Sequence, residues 1–180
     1  MGMSDCCQAE VKTGVMPTHT TTEVGIPLVL INSVLERTCS KCGAVVSRII
    51  QFPDRLIAAA AVARSADAGK LIGQEIRFLR KALSKSSKRM ASLLGVSPET
   101  YSRWENDKAP MKPSVERLFR LFVGTELSDK APAIEFNTHA VLQMKLVPLR
   151  RQEPMVLELI KYKVRPETPA EQHFEQPRAA

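Results

Sequence analysis

Four cysteines are the side chains best equipped for chemistry in this chain, and two of them have an informative spacing. In Cys39-Ser-Lys-Cys42-Gly43 the two-residue gap lets both thiolates reach one metal ion, and the glycine permits the tight turn between them. Such a knuckle implies Zn2+, and a tetrahedral site needs two further ligands. Cys6 and Cys7 are available, and the β-prone stretch 24–31 would bring the two pairs together. Neighbouring side chains diverge, so Cys6 and Cys7 are expected to fit a single tetrahedral ion poorly, with His19 as another source of a fourth ligand. Two other readings stay open for Cys39 and Cys42. One is a knuckle reduced to free buried thiols; the other is a redox pair, although no thioredoxin-like βαβ pattern surrounds them.

The parts of an enzyme are missing. His19, His139 and His173 are scattered, and none sits in a nucleophile or metalloprotease motif. The eight glycines form no phosphate-binding loop. Glu135 and Glu158 are isolated carboxylates on expected strands, read as solvated faces. The expectation is a binding protein, not an enzyme.

A second set of side chains suits the recognition of nucleic acid. Ser86 is a helix cap for residues 87–94, which turn Met90, Ala91 and Leu94 inward, and Gly95 ends that helix at little conformational cost. Ser97-Pro98 then opens a helix over 98–105, with proline at the first position, where its missing N–H loses nothing. Tyr101 and Trp104 face inward, which leaves Pro98, Glu99, Thr100, Ser102 and Arg103 outward. Two short helices joined by a glycine-containing turn form a DNA-reading unit when the second has a polar outer face. Arg103 suits a bidentate contact to guanine, Glu99 can accept from cytosine N4, and Thr100 can meet a thymine methyl or a phosphate. Lys88 and Arg89 lie in the first turn of the preceding helix, where the dipole disfavours cations by roughly 0.3–1 kcal/mol each. A bound phosphate reverses that sign; plain solvation of two long side chains is the alternative.

Met90-Ala-x-x-Leu-Gly-Val-Ser97 followed by Thr100-Tyr-Ser-Arg-Trp-Glu-Asn106 resembles the lambda-repressor-like, Xre-type helix-turn-helix family over about fifty residues. The resemblance implies that Pro98, Glu99 and Arg103 face base edges and that Ser87 and Asn106 touch phosphates. Proline has no polar group to offer a base, so Arg103, Glu99 and Thr100 rank above it. Lys108 completes the candidate DNA-contacting set. Asp107 stands where that family usually has glycine, and Lys85 replaces a usual apolar residue, so that edge of the core is expected to be more exposed. The larger order of an N-terminal cysteine pair, about thirty residues, a C-x-x-C-Gly knuckle and a repressor-like domain resembles the MqsA antitoxin family with its YgiT-type zinc finger. There the first pair is usually C-x-x-C, from which Cys6-Cys7 departs. The resemblance implies a toxin protein as partner and a Cys6, Cys7, Cys39, Cys42 zinc site.

The elements that must position these residues can be read around them. Residues 1–52, with β-prone runs at 27–31 and 45–50, form a small zinc-ribbon-like β module. Residues 53–69 are a connecting helix with one apolar side from Leu56, Ile57 and Val62. Residues 70–124 are an all-α helix-turn-helix domain. Ile72, Ile76, Leu79 and Leu83 line its first helix, and Val115, Leu118, Phe119 and Phe122 face inward from its last. In 125–165 the alternation at Leu142, Met144 and Leu146, and again at Ile160, Tyr162 and Val164, suggests a β-hairpin. The proline-, glutamate- and glutamine-rich stretch 166–180 reads as a disordered tail. The fold class is therefore α+β.

Charge supports the assignment of the middle region. Residues 1–69 carry six basic and six acidic side chains and residues 125–180 eight of each; residues 70–124 carry twelve against five, the whole net +7. Concentrated positive charge is the footprint of a phosphate-binding surface. No run approaches the roughly 18 apolar residues of a membrane span, and residues 1–7 lack the basic start and apolar stretch of a signal peptide. A cytoplasmic, nucleoid-associated transcriptional regulator is expected, a homodimeric repressor on double-stranded DNA. The rival expectation is a protein-interaction adaptor that uses the helix-turn-helix only to localise a partner.

Overall fold

The computed structural model describes residues 6–148, 153–162 and 169–177. Its order is β1 (Val11–Thr21), β2 (Leu28–Cys39), β3 (Val45–Ile50), α1 (Pro53–Ala66), α2 (Gly73–Ala82), α3 (Ser87–Leu93), α4 (Pro98–Glu105), α5 (Pro113–Leu127), a 3-10 turn (Ser128–Lys130), α6 (Thr138–Gln143), β4 (Met155–Tyr162) and β5 (Glu171–Glu175). An N-terminal sheet module is followed by a helical region, so the fold is α+β.

The long strand β2 organises the sheet. One side pairs with β1 in antiparallel register from Val11↔Cys39 to Thr21↔Leu28. Its other side is shared: residues Leu28 to Ile31 run parallel to β4, and Val34 to Thr38 run antiparallel to β3. The partner changes at Asn32, which adopts a left-handed φ of 54° and donates to Glu158 Oε1 at 3.2 Å. The strand β5 then adds to β4 at the far edge.

Two expectations for the C-terminal third are corrected here. Leu142 lies in α6, not in a strand, because the Asn137 side chain accepts from Ala140 N–H at 3.0 Å and caps a helix. The strand at Ile160 is present, but it pairs with β2 and β5 and not with the Leu142 segment; Val164 falls outside the described residues. The expected disordered tail contains β5, which buries His173 and Phe174.

The helix α1 also differs from its expectation. Instead of one apolar side it is buried along Leu56 and Ala58 to Ser65, as fits a helix apolar all round. Its alanines share one core with Leu28, Leu30 and Val34 of β2, Leu157 of β4, Phe174 of β5 and the apolar sides of α2 to α5. At its C-terminal end the fully buried Arg120 guanidinium donates to the carbonyls of Arg64, Ser65, Asp67 and Gly69, satisfying helix-end acceptors that lack intrahelical partners. Glu116 balances that charge at 2.7 Å and accepts from Leu71 N–H at 2.9 Å. Arg64 and Glu75 form a second buried pair at 2.5 Å. Leu118, expected inward, is instead half exposed on α5.

Candidate nucleic-acid interface and metal centre

The expected local chemistry builds the helix-turn-helix. Ser86 Oγ accepts from Arg89 N–H at 3.2 Å to start α3, and Ser97 Oγ accepts from Thr100 N–H at 3.2 Å to start α4. Between the helices Gly95 takes φ +66°, and Val96 N–H returns to the Ala91 carbonyl at 3.0 Å. Tyr101 and Trp104 are buried and meet edge to face at 6.0 Å, with Phe119 of α5 against Tyr101 at 6.5 Å.

With that side inward, α4 exposes Pro98, Glu99, Ser102 and Arg103. Thr100 is half-buried, and its hydroxyl is engaged with Ser97 Oγ at 3.1 Å, which ranks it below Arg103 and Glu99. The Glu99 carboxyl is held below the usual carboxylate range by hydrogen bonds from its own backbone N–H and from Ser97. Lys88 and Arg89 are exposed in the first turn of α3. Asn106 is exposed but partly committed: its Nδ2 donates to Ser102 O at 2.7 Å, and its Oδ1 accepts from Arg77 at 3.2 Å. Lys108 follows it on the surface.

Ser87 has a role that spacing alone did not reveal. Its hydroxyl donates to Glu105 Oε2 at 2.8 Å, while Glu105 Oε1 pairs with Arg80 at 2.7 Å. One buried carboxylate thus ties α2, α3 and α4 into a fixed arrangement. Asp107 now has a reason to replace glycine. At φ 53° its carboxylate accepts from Gly73 N–H at 2.6 Å, so the loop after α4 caps the start of α2. A glycine there would keep the backbone conformation and lose the cap. Gly73 itself must lack a side chain, since a Cβ would strike the Glu105 carbonyl. Lys85 is half-buried, and its carbonyl accepts from Arg80 at 2.9 Å.

At the far end of β2 the four cysteine sulfurs of Cys6, Cys7, Cys39 and Cys42 lie within 4.8 Å of one another. Cys6 and Cys42 approach to 3.5 Å. The knuckle closes through Gly43 N–H to the Cys39 carbonyl at 2.9 Å, with Gly43 at φ +73°, and Ser40 N–H to the Glu10 carbonyl at 2.9 Å joins it to the start of β1. The expected divergence of Cys6 and Cys7 is corrected: a turn ending at Gln8, with φ 49°, brings both thiols to one point. His19 pairs with Leu30 near the end of β1 remote from Cys39 and is outside this cluster. Zinc–sulfur bonds of about 2.3 Å in a tetrahedron place sulfurs about 3.8 Å apart, so the donor set fits a thiophilic divalent ion. The Cys7 thiol is pushed up to about 12 by its hydrogen bond with Cys42, by desolvation, and by hydrogen bonds with Cys6 and Cys39. Four thiolates side by side repel, and a divalent cation at their centre removes that penalty.

Comparison with known proteins bears on the class. Residues 76–123, from within α2 to within α5, match the helix-turn-helix family model. The chain therefore carries a DNA-binding helix-turn-helix of the kind found in regulators; the domain is of the Xre type. No curated protein and no solved structure gives a significant match. Among the described residues no helix is long and apolar enough to cross a membrane.

Proposed function

We propose that this chain is a sequence-specific transcriptional repressor that acts by binding alone, as a homodimer on a two-fold operator. The outward face of α4 supports this most directly: Glu99 and Arg103 project from a helix whose opposite side is locked by Tyr101, Trp104 and Glu105. In this reading Arg103 and Glu99 read base edges, with Pro98, Thr100 and Ser102 beside them. Lys88, Arg89, Asn106, Lys108 and the first-turn N–H of Ser87 hold phosphates. Sequencing the DNA that co-purifies with the full chain tests it. One enriched palindromic sequence is expected, and random fragments would overturn it.

The cysteine cluster holds Zn2+ in this proposal and supplies folding free energy, not reactivity. The exposed Val15, Val45 and Ile49 beside it favour a protein partner docked on the outer sheet, a toxin in the reading that the MqsA resemblance implies. An antitoxin should be encoded beside a small toxin, so the neighbouring reading frame separates autoregulating antitoxin from stand-alone repressor.

A further inference from the structure

The β1–β2 hairpin of the sheet module is docked on the reading domain, and a cleft lies at the junction. Gly25 N–H donates to the Thr22 carbonyl at 2.9 Å and Glu23 N–H to Thr21 Oγ1 at 3.2 Å, so the turn is closed locally. Gln74 Nε2 of α2 donates to the Gly25 carbonyl at 2.9 Å and anchors the turn on the helix. Between this turn, α2 and the end of α4 runs a cleft of about 540 Å³, lined by Glu23 from the turn, Arg77 and Lys81 from α2, and Asn106 among others.

The charges in that cleft are unequally committed. Glu105 pairs with Arg80 and accepts from Ser87, and Asp107 accepts from Gly73 N–H, so neither carboxylate is spare. Arg77 donates to two uncharged oxygens, the Glu105 carbonyl at 3.0 Å and Asn106 Oδ1 at 3.2 Å. Arg77 and Lys81 are four residues apart and exposed on one side of α2, with no ion-pair partner among the described residues. Like charges at that spacing destabilise a bare helix, and an anion between them reverses the sign. The C-terminal dipole of α2 accounts for Lys81 but not for Arg77 at mid-helix.

We propose that a phosphodiester of bound DNA enters this cleft and is held by Arg77 and Lys81, while Glu23 of the sheet module opposes it. The proposal rests on the DNA-binding reading above and deepens it: the footprint extends to α2, and the N-terminal module tunes the affinity of the reading domain. Position makes DNA the source of the phosphate. Asn106 holds the backbone in that reading and lies 3.2 Å from Arg77, so a phosphate at the amide is within reach of the guanidinium as well. A guanidinium fork matches phosphate oxygens, and its charge adds to that of Lys81. The Glu23 carboxylate accepts only and brings like charge to the approaching strand, so it lowers affinity for every sequence alike. It is kept there because Gly25 takes φ +107° beside Phe78 and its carbonyl is tied to Gln74.

The test uses the full zinc-loaded chain, with binding to the selected operator and to random duplex followed by fluorescence anisotropy across a salt series. Arg77→Ala and Lys81→Ala should each weaken both duplexes alike, by about three- to tenfold, and lower the salt slope by about one. Glu23→Gln should do the opposite and tighten both by about two- to threefold at low salt, a gain that fades as the Debye length shortens. All three side chains are exposed, so circular dichroism should be unchanged. Arg77→Ala is repeated in an Asn106→Ala background, where a direct contact still lowers the slope; no further loss there reduces Arg77 to orienting Asn106 and overturns the proposal. Wild-type affinity and slope in Arg77→Ala and Glu23→Gln overturn it too. So does inorganic phosphate that binds the free chain tightly and loses its site in Arg77→Ala, which would make the cleft a small-anion site. Losses at Arg77 in a chain that prefers no sequence uphold the cleft while refuting the operator reading; a wild-type chain that binds no duplex refutes both.

Discussion

The helix-turn-helix and the outer half of the sheet are held together by different means. In the first, Met90, Tyr101, Trp104 and Phe119 are buried, and Glu105 ties three helices through Arg80 and Ser87. In the second, residues 11–16, 33–39 and 45–50 bury Ser33, Val34 and Cys39, while Val15, Val45 and Ile49 remain 46% exposed or more. Three strands with so little apolar contact gain only a few kcal/mol from burial, at about 25 cal/mol per Å², against an ordering cost of about 1–2 kcal/mol per residue. The difference teaches that the reading domain can stand on its packing, whereas the outer sheet needs the cysteine cluster.

Metal removal is the strongest way to break that comparison. Zinc in small modules contributes apparent binding energies of about 10–16 kcal/mol, most of it expressed as folding. Chelation, or Cys39→Ser, should therefore abolish amide protection at 11–16, 34–39 and 45–50. Residues 28–31 should stay protected because β4 pairs with them and Leu28 and Leu30 lie in the shared core. Hydrogen exchange read by mass spectrometry checks this, with metal content by elemental analysis. Simultaneous loss of protection in α2 to α5 would mean that both regions unfold as one unit.

The converse change removes the packing and spares the metal. Trp104→Ala should destabilise the helical region by about 3–5 kcal/mol, because a buried aromatic leaves a cavity that its neighbours fill poorly. Thermal unfolding followed by circular dichroism reads the loss, and zinc stoichiometry should be unaffected. An unchanged midpoint would mean that α4 is rotated and that a different set of side chains faces DNA.

The same contrast explains what could be read from the chain beforehand. The bounds of α4 were legible because Ser97 and Pro98 mark its start locally and Tyr101 and Trp104 set its inner side. The strand β5 was not, because Glu-Gln-His-Phe-Glu is mostly polar and becomes a strand only by pairing with β4. In α5 the apolar pattern put Leu118 inside, and nothing local disclosed that Glu116 and Arg120 would be drawn inward by Leu71 and the end of α1. The cysteine pairs were visible, but the convergence of Cys6 with Cys7 depends on a backbone turn at Gln8 that residue types do not specify. Glu105 carried a weak signal: an acidic residue beside Trp104, near the buried side of its helix.

Within the reading domain the comparison sharpens to single contacts. Arg103→Ala should cost about 1–3 kcal/mol on the specific site and relax the preference at one base position, with stability unchanged because the side chain is exposed. Binding measured on the selected operator and on random duplex separates the two effects. Equal losses on both would reassign Arg103 to phosphate.

Lys88 provides the smallest and most diagnostic effect. It sits in the first turn of α3, where the helix dipole opposes a cation, and it is exposed with no ion-pair partner among the described residues. A phosphate placed there would be held by the helix N-terminus and the ammonium together, whereas bulk water offers no such convergence. Lys88→Ala should therefore weaken specific and random DNA alike and lower the slope of log affinity against log salt by about one, the signature of one fewer neutralised phosphate. Because the removed cation was unfavourable to the free helix, the unliganded protein should be unchanged or slightly more stable. A salt slope equal to that of wild type would show Lys88 solvated in the complex as well, and would leave Arg89, Asn106 and Lys108 to hold the backbone.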